Sequence, residues 1–128
     1  AEAEIYEEYV DGLKDLDRFS HIILIFHFHR SRKAPLHQVP FMDDEERGVF
    51  SIRSPSRPNA IGLSVVRLVS ITGNTVRFRG VDMLDGTPLL DIKPYVPEMD
   101  VHDVESTGWL EKVKHRMGRT KDDGRFGN

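Results

Sequence analysis

Ile61-Gly62-Leu63-Ser64-Val65-Val66-Arg67-Leu68-Val69-Ser70-Ile71-Thr72-Gly73-Asn74-Thr75-Val76-Arg77-Phe78-Arg79 reads as two β-strands and the turn that joins them. Residues 61–71 are rich enough in β-branched side chains to form a strand, with a bend expected near Gly62. Gly73-Asn74 supplies the positive backbone angle that a tight hairpin turn needs. Beyond the turn the chain alternates, so Val76 and Phe78 face inward while Arg77 and Arg79 face outward. Upstream, residues 20–29 are almost continuously apolar and end in the alternation Phe26-His27-Phe28-His29. That pattern suits a central strand covered on both faces.

Shorter segments complete the pattern. Residues 1–5 alternate small or apolar side chains with glutamate, as a half-buried edge strand does. Tyr9, Val10, Leu13 and Leu16 suit a short helix interrupted by Gly12. Residues 48–52 read as a short strand, and residues 89–92 as another after a Gly-Thr-Pro turn. Residues 30–47 are polar, carry Pro35 and Pro40, and read as a long loop, the kind that serves as a lid or partner surface. Trp109, Leu110, Val113 and Met117 form one stripe of a terminal helix, while residues 119–128 lack apolar anchors and are expected to be mobile. Many short strands, few helices and several tight turns define a mostly β fold, a small antiparallel β-barrel.

Composition narrows the function classes. A chain of 128 residues with no cysteine is about one domain, without disulfide or thiolate chemistry. The apolar run at residues 22–28 is too short to cross a bilayer, and no apolar signal segment opens the chain. A soluble, cytoplasmic protein is the expectation. The net charge of −3 argues against a protein that coats nucleic acid. Its distribution is uneven, however: Glu2, Glu4, Glu7, Glu8, Asp11, Asp15 and Asp17 concentrate negative charge at the start. The remainder is net positive, and Arg30, Arg32, Lys33, Arg53, Arg57, Arg67, Arg77 and Arg79 can form a basic face or an ordinary solvated surface.

Two segments carry chemistry. Arg53-Ser54-Pro55-Ser56-Arg57-Pro58-Asn59-Ala60-Ile61-Gly62 is a loop stiffened by proline, which presents its arginines on a rigid frame suited to an anionic or planar group. In Asp85-Gly86-Thr87-Pro88-Leu89-Leu90-Asp91-Ile92-Lys93-Pro94-Tyr95, strand geometry puts Asp91, Lys93 and Tyr95 on one face and turns Leu90 and Ile92 to the core. That row reads either as a polar wall that orients a base and moves a proton, or as a surface ion pair beside a rim tyrosine. Asp85-Gly86 is a turn dipeptide whose exposed backbone groups can recognise the edge of an adenine. His27 and His29 share a face, yet no third ligand stands at metal-binding spacing, so no metal is expected. The Gly-x-Gly-x-x-Gly fingerprint, the P-loop and the Gly-x-Ser-x-Gly elbow are absent.

Gly48-Val49-Phe50-Ser51-Ile52-Arg53-Ser54-Pro55-Ser56-Arg57-Pro58-Asn59-Ala60-Ile61-Gly62-Leu63 and Asp82-Met83-Leu84-Asp85-Gly86-Thr87-Pro88-Leu89-Leu90-Asp91-Ile92-Lys93-Pro94-Tyr95 together resemble the TsaA-like family, whose characterised branch is TrmO, a tRNA methyltransferase. With Leu16-Asp17-Arg18-Phe19-Ser20-His21 the likeness covers residues 5–97. It implies a small β-barrel without a Rossmann domain that binds S-adenosylmethionine and acts as a homodimer. It also implies methyl transfer to N6 of N6-threonylcarbamoyladenosine at position 37 of a threonine tRNA. By motif, Ser20 and His21 would line the cofactor pocket, Arg47 and Arg57 would approach the methionine carboxylate, and Met83, Leu84, Asp85 and Gly86 would hold the adenosine. Arg53, Asn59, Asp91, Lys93 and Tyr95 are the candidates for the substrate side and catalysis, and Arg30, Arg32 and Lys33 for docking tRNA.

The resemblance divides the chain into a barrel domain over residues 1–97 and a C-terminal helix with a flexible basic tail over residues 98–128. The family's opening Ile-Gly-x-Ile strand and Ser-Pro-aromatic turn, which help form the pocket, have no counterpart here, and Ala60 stands where the motif has its second proline. Alternative readings keep the cofactor but change the substrate, or leave a binding module without turnover.

Overall fold

The computed structural model describes residues 1–29, 33–81 and 85–113. Its centre is β2, His21–His27, hydrogen-bonded on both sides. Antiparallel partners are β5, Ile61–Thr72, and β7, Leu89–Pro94. The hairpin continues from β5 into β6, Thr75–Arg79, and β1, Glu2–Glu4, pairs with β6 to complete the five-stranded order β1-β6-β5-β2-β7. At the turn Gly73 takes a φ of +60° and Asn74 does not go positive, so glycine alone supplies the angle, as in a hairpin turn with glycine first. Two short strands, β3 (His37–Gln38) and β4 (Arg47–Gly48), form a separate antiparallel pair within the long polar segment.

Alternation decides which face is covered. Ile22, Leu24 and Phe26 of β2 are buried with Val66 and Leu68 of β5 and Val76 and Phe78 of β6. Leu13 and Leu16, from 3₁₀ segments at Glu7–Leu13 and Leu16–Arg18, pack against this cluster, so the helical expectation has its place but in the tighter form. Each such side chain contributes roughly 1.5–3 kcal/mol on burial. The other face of β2 is only partly covered: His21, Ile23 and Ile25 are half-buried and His27 is exposed. The strand is central in the sheet, but one face only lies in the core.

Three expectations change. Residues 49–51 form a 3₁₀ turn rather than a strand. The terminal helix is a 3₁₀ segment, Gly108–Lys112, within the described residues, and Met117 and the basic tail lie outside them. In β7 a register shift between Ile25 and Phe26 sets Leu89 opposite Phe26, so Leu89 packs on the core and Leu90 turns outward. Ile92 does face inward, as the alternation requires. The architecture is mostly antiparallel β; among the described residues β1 and β7 remain the sheet's two edges and are not paired with each other. None of the helices among the described residues is long and apolar enough to cross a membrane.

Candidate functional site

Strand register and the flanking turns distribute the candidate residues along one outer sheet face and at both ends of β2. His21 pairs with Arg67, Ile23 with Val65 and Lys93, and Ile25 with Leu63 and Asp91. Residues directly opposite in a ladder project to the same side. The outer face therefore carries His21, Lys93 and Asp91 around an apolar centre of Ile23, Ile25, Leu63 and Val65.

At the start of β2 the Ser20 hydroxyl lies 2.8 Å from His21 Nδ1. The His21 ring meets Tyr95 edge to face, with centroids 6.5 Å apart, and the Tyr95 N–H donates to the His21 carbonyl. Two motifs separated by some seventy residues, Ser20-His21 and Asp91-x-Lys93-x-Tyr95, are thus neighbours. Lys93 Nζ lies 3.4 Å from Asp91 Oδ2, and both side chains are more than half exposed, so the pair leaves its charges open to a ligand.

At the opposite end of β2 three chain segments meet. Phe28 N–H donates to the Ala60 carbonyl (2.7 Å), His27 N–H to the Pro88 carbonyl (3.0 Å), and Ile61 N–H to the Asn59 carbonyl (2.7 Å). These bonds bring Asn59 and the Asp85-Gly86 turn to the same edge; Gly86 holds the turn with a φ of +80°. Along β2 the two groups, Ser20-His21-Tyr95 and Asn59-Asp85-Gly86, are separated by a strand of seven residues, roughly 20 Å. Asp91 and Lys93 lie between them.

The proline-arginine bend is tied from within and from outside. Arg57 Nη1 donates to the Ile52 and Ser54 carbonyls at 2.8 and 3.3 Å, so this arginine braces its own loop. Gln38 Nε2 donates to the Pro35 and Ser56 carbonyls at 2.8 and 2.6 Å, lashing the long polar segment to the bend. Between them lies an open hollow of ≈ 310 Å³, lined by Gln38, Phe41, Ile52 and Arg53. Arg53 is exposed at its rim and forms no ion pair with any described residue.

Arg47 is held differently from a free carboxylate binder. Its Nε lies 2.7 Å from Asp43 Oδ2, its Nη2 3.2 Å from Glu45, and its guanidinium stands over the Trp109 ring at 5.7 Å. Trp109 Nε1 donates to the Ser51 carbonyl at 2.8 Å. The hydrogen bond from Arg47 holds the Asp43 carboxyl below its ordinary value, and Asp43 raises Arg47 in return. Gln38 and Trp109 escape sequence reasoning because each acts on a segment distant in the chain; Asp43 is only four residues from Arg47 but stands in no motif that singles it out. Met83, Leu84, Arg30 and Arg32 lie outside the described residues, and among those described no cluster of three metal-ligating side chains occurs.

Comparison with known proteins shows the family of the chain. The family described as the tRNA-methyltransferase O N-terminal domain matches residues 1–101. A probable S-adenosyl-L-methionine-binding protein of Pyrococcus abyssi is 58% identical over 96% of this chain and 67% of its own length. The human tRNA (adenine(37)-N6)-methyltransferase is 46% identical over 70% of this chain and 21% of its own. The crystal structure of TrmO from Pseudomonas aeruginosa superposes with a TM-score of 0.68 at 38% identity, covering 84% of this chain and 47% of that one. The chain belongs to the tRNA-methyltransferase O N-terminal domain family. It spans only a fraction of the length of several of these relatives.

Proposed function

We propose that this chain binds S-adenosylmethionine and methylates N6 of adenine 37 in tRNA, with N6-threonylcarbamoyladenosine as the acceptor nucleoside and a threonine tRNA as its carrier. The observation that carries the reading is the meeting of Ser20-His21 with the Asp91-Lys93-Tyr95 row on one open sheet face. Relatives named as S-adenosyl-L-methionine-binding proteins and as tRNA (adenine(37)-N6)-methyltransferases support it.

The donor set suits the cofactor's chemistry. The Asp85-Gly86 turn offers a carboxylate and backbone groups for ribose and adenine edges; Ser20 and His21, roughly 20 Å away along β2, would add polar contacts to the same cofactor from a twofold partner. Arg57 keeps part of its guanidinium for its own loop, and Arg47 reaches a ligand only by sharing its bonds to Asp43 and Glu45. When bound, S-adenosylmethionine supplies an electrophilic methyl on sulfur.

The chain's residues answer for the acceptor. The N6 lone pair of a carbamoylated adenine is delocalised, so its proton must leave as the new N–C bond forms. Asp91 or Tyr95 takes that proton, with Lys93 offsetting the developing negative charge. Asn59 and Arg53 hold the acceptor in line. The apolar centre of this face, where Leu63 and Val65 are exposed and Ile23 and Ile25 half-buried, supports a homodimer in which a second copy would cover that centre and leave His21, Lys93 and Asp91 at its margin.

The test is methyl transfer from labelled S-adenosylmethionine to total tRNA, alongside thermal unfolding. Cofactor at one hundred times its dissociation constant adds about 2.7 kcal/mol to stability. Single replacement of Asp91, Lys93 and Tyr95 lowers turnover about 10²–10⁴-fold for the proton acceptor and less for its supports. Full activity in all three variants rejects the site. Cofactor stabilisation without transfer to any tRNA leaves a binding module.

A further inference from the structure

Arg67 and Arg79 stand directly opposite each other in the β5–β6 ladder, and Arg67 is also directly opposite His21 in the β2–β5 ladder. The three side chains therefore form one transverse row on the outer face, spaced by the roughly 4.8 Å between strands. Like charges directly opposite in a ladder repel and destabilise the pair. The neighbouring row differs: its one arginine, Arg77, stands between Ser70 and Glu2, and its Nε lies 2.9 Å from Glu2 Oε2. Arg67 and Arg79 have no carboxylate within ion-pair distance among the described residues, and both are exposed. The hairpin thus holds two guanidinium groups side by side, on rigid strands, with nothing in the described chain to neutralise them.

We infer that the Arg67–Arg79 pair is a phosphate clamp that seats the tRNA backbone beside the His21 end of the candidate site. Two adjacent planar forks match phosphate oxygens, and the strand backbone fixes their separation. The basic residues of the polar loop lie in a different stretch of chain, so this is a second docking element. Its place in the His21 row puts a backbone contact next to the residues proposed for the reaction. Backbone contacts of this kind position a nucleic acid without reading its sequence. The inference rests on the tRNA reading above. A subunit contact could also bring carboxylates to these arginines; the isolated basic pair and its lateral continuity with His21 favour RNA.

Arg67→Gln/Arg79→Gln and Arg67→Lys/Arg79→Lys double variants test it. Fluorescein-labelled total tRNA is titrated against wild type and both variants from 50 to 300 mM KCl, and molar mass is followed by sedimentation. Each phosphate contact contributes about 0.7–0.9 to the slope of log K against log salt. The glutamine variant is expected to lose about 1.5 from that slope and to weaken binding at least tenfold at low salt, with unchanged stabilisation by S-adenosylmethionine. The lysine variant keeps most of the slope. An unchanged slope in the glutamine variant overturns the clamp, and if its mass also halves, the pair belongs to a subunit contact. Wild-type protein that binds no tRNA at any salt instead removes the tRNA reading on which the clamp depends.

Discussion

Gly62 lies against the rings of Phe26 and Phe28, which meet edge to face with centroids 5.2 Å apart. A Cβ built there would come within 2.5 Å of Phe26 and 2.8 Å of Phe28. Phe26 is buried in the core, so its ring has nowhere to move. The glycine is needed for close approach rather than for an unusual backbone angle. Gly62→Ala is expected to destabilise by about 1–3 kcal/mol, read from the denaturation midpoint. Because Phe28 also anchors the bend through the Ala60 carbonyl, cofactor affinity should fall with it. A variant of wild-type stability would mean that the rings repack freely. The sequence marks Gly62 as a bend, but the ladder's register irregularity falls between Leu68 and Ser70, where pairing with β6 decides it.

At the scale of elements, Asp43, Arg47 and Trp109 join the polar segment, the β4 strand and the last described 3₁₀ turn. The Asp43 side chain is only 7% exposed, so its bond to Arg47 is shielded from water. Its folded pKa is lowered from 3.8, chiefly by the hydrogen bond from Arg47. A lowered carboxyl pKa stabilises above the unfolded value, and that stability is lost as pH falls through the folded one. The join should therefore hold at neutral pH and loosen below about pH 4. Trp109 is the chain's one tryptophan, so its emission reports the join alone. Emission of the wild type should shift on acidification below that point. Asp43→Asn should show the shifted emission already at pH 7 and little further change. Coincident profiles for both proteins would remove Asp43 from the join. Residue types alone could assign Arg47 to a ligand; the partners that occupy it come from positions 43, 45 and 109.

Across the whole molecule, the uncovered sheet face sets the expected assembly. Leu63 is 63% exposed, and Ile61 and Val65 beside it are also open to solvent. A contiguous apolar surface of this kind marks an interaction site rather than a solvated wall. In a twofold dimer each substitution counts twice. Leu63→Asp is accordingly expected to weaken dimerisation at least about 100-fold, measured by sedimentation equilibrium. A wild type that is monomeric at all concentrations would assign the face to another partner.

Local patterning determined the elements and their sidedness: the hairpin at Gly73-Asn74, the edge strand at the start, and the alternation that buries Val76 and Phe78 are nearest-neighbour effects. Family motifs carried the likeness, because they are contiguous in the chain. Tertiary structure alone decided three things. It paired β2 with both β5 and β7, which sets Ser20-His21 beside Tyr95; it shifted β7 so that Leu89 rather than Leu90 turns inward; and it left one face of β2 open. Each depends on which strand lies beside which, and a run such as Ile22-Ile23-Leu24-Ile25 is apolar on both sides. Periodicity cannot say which side will find a cover; only packing against the rest of the chain, or against a second copy, supplies that answer.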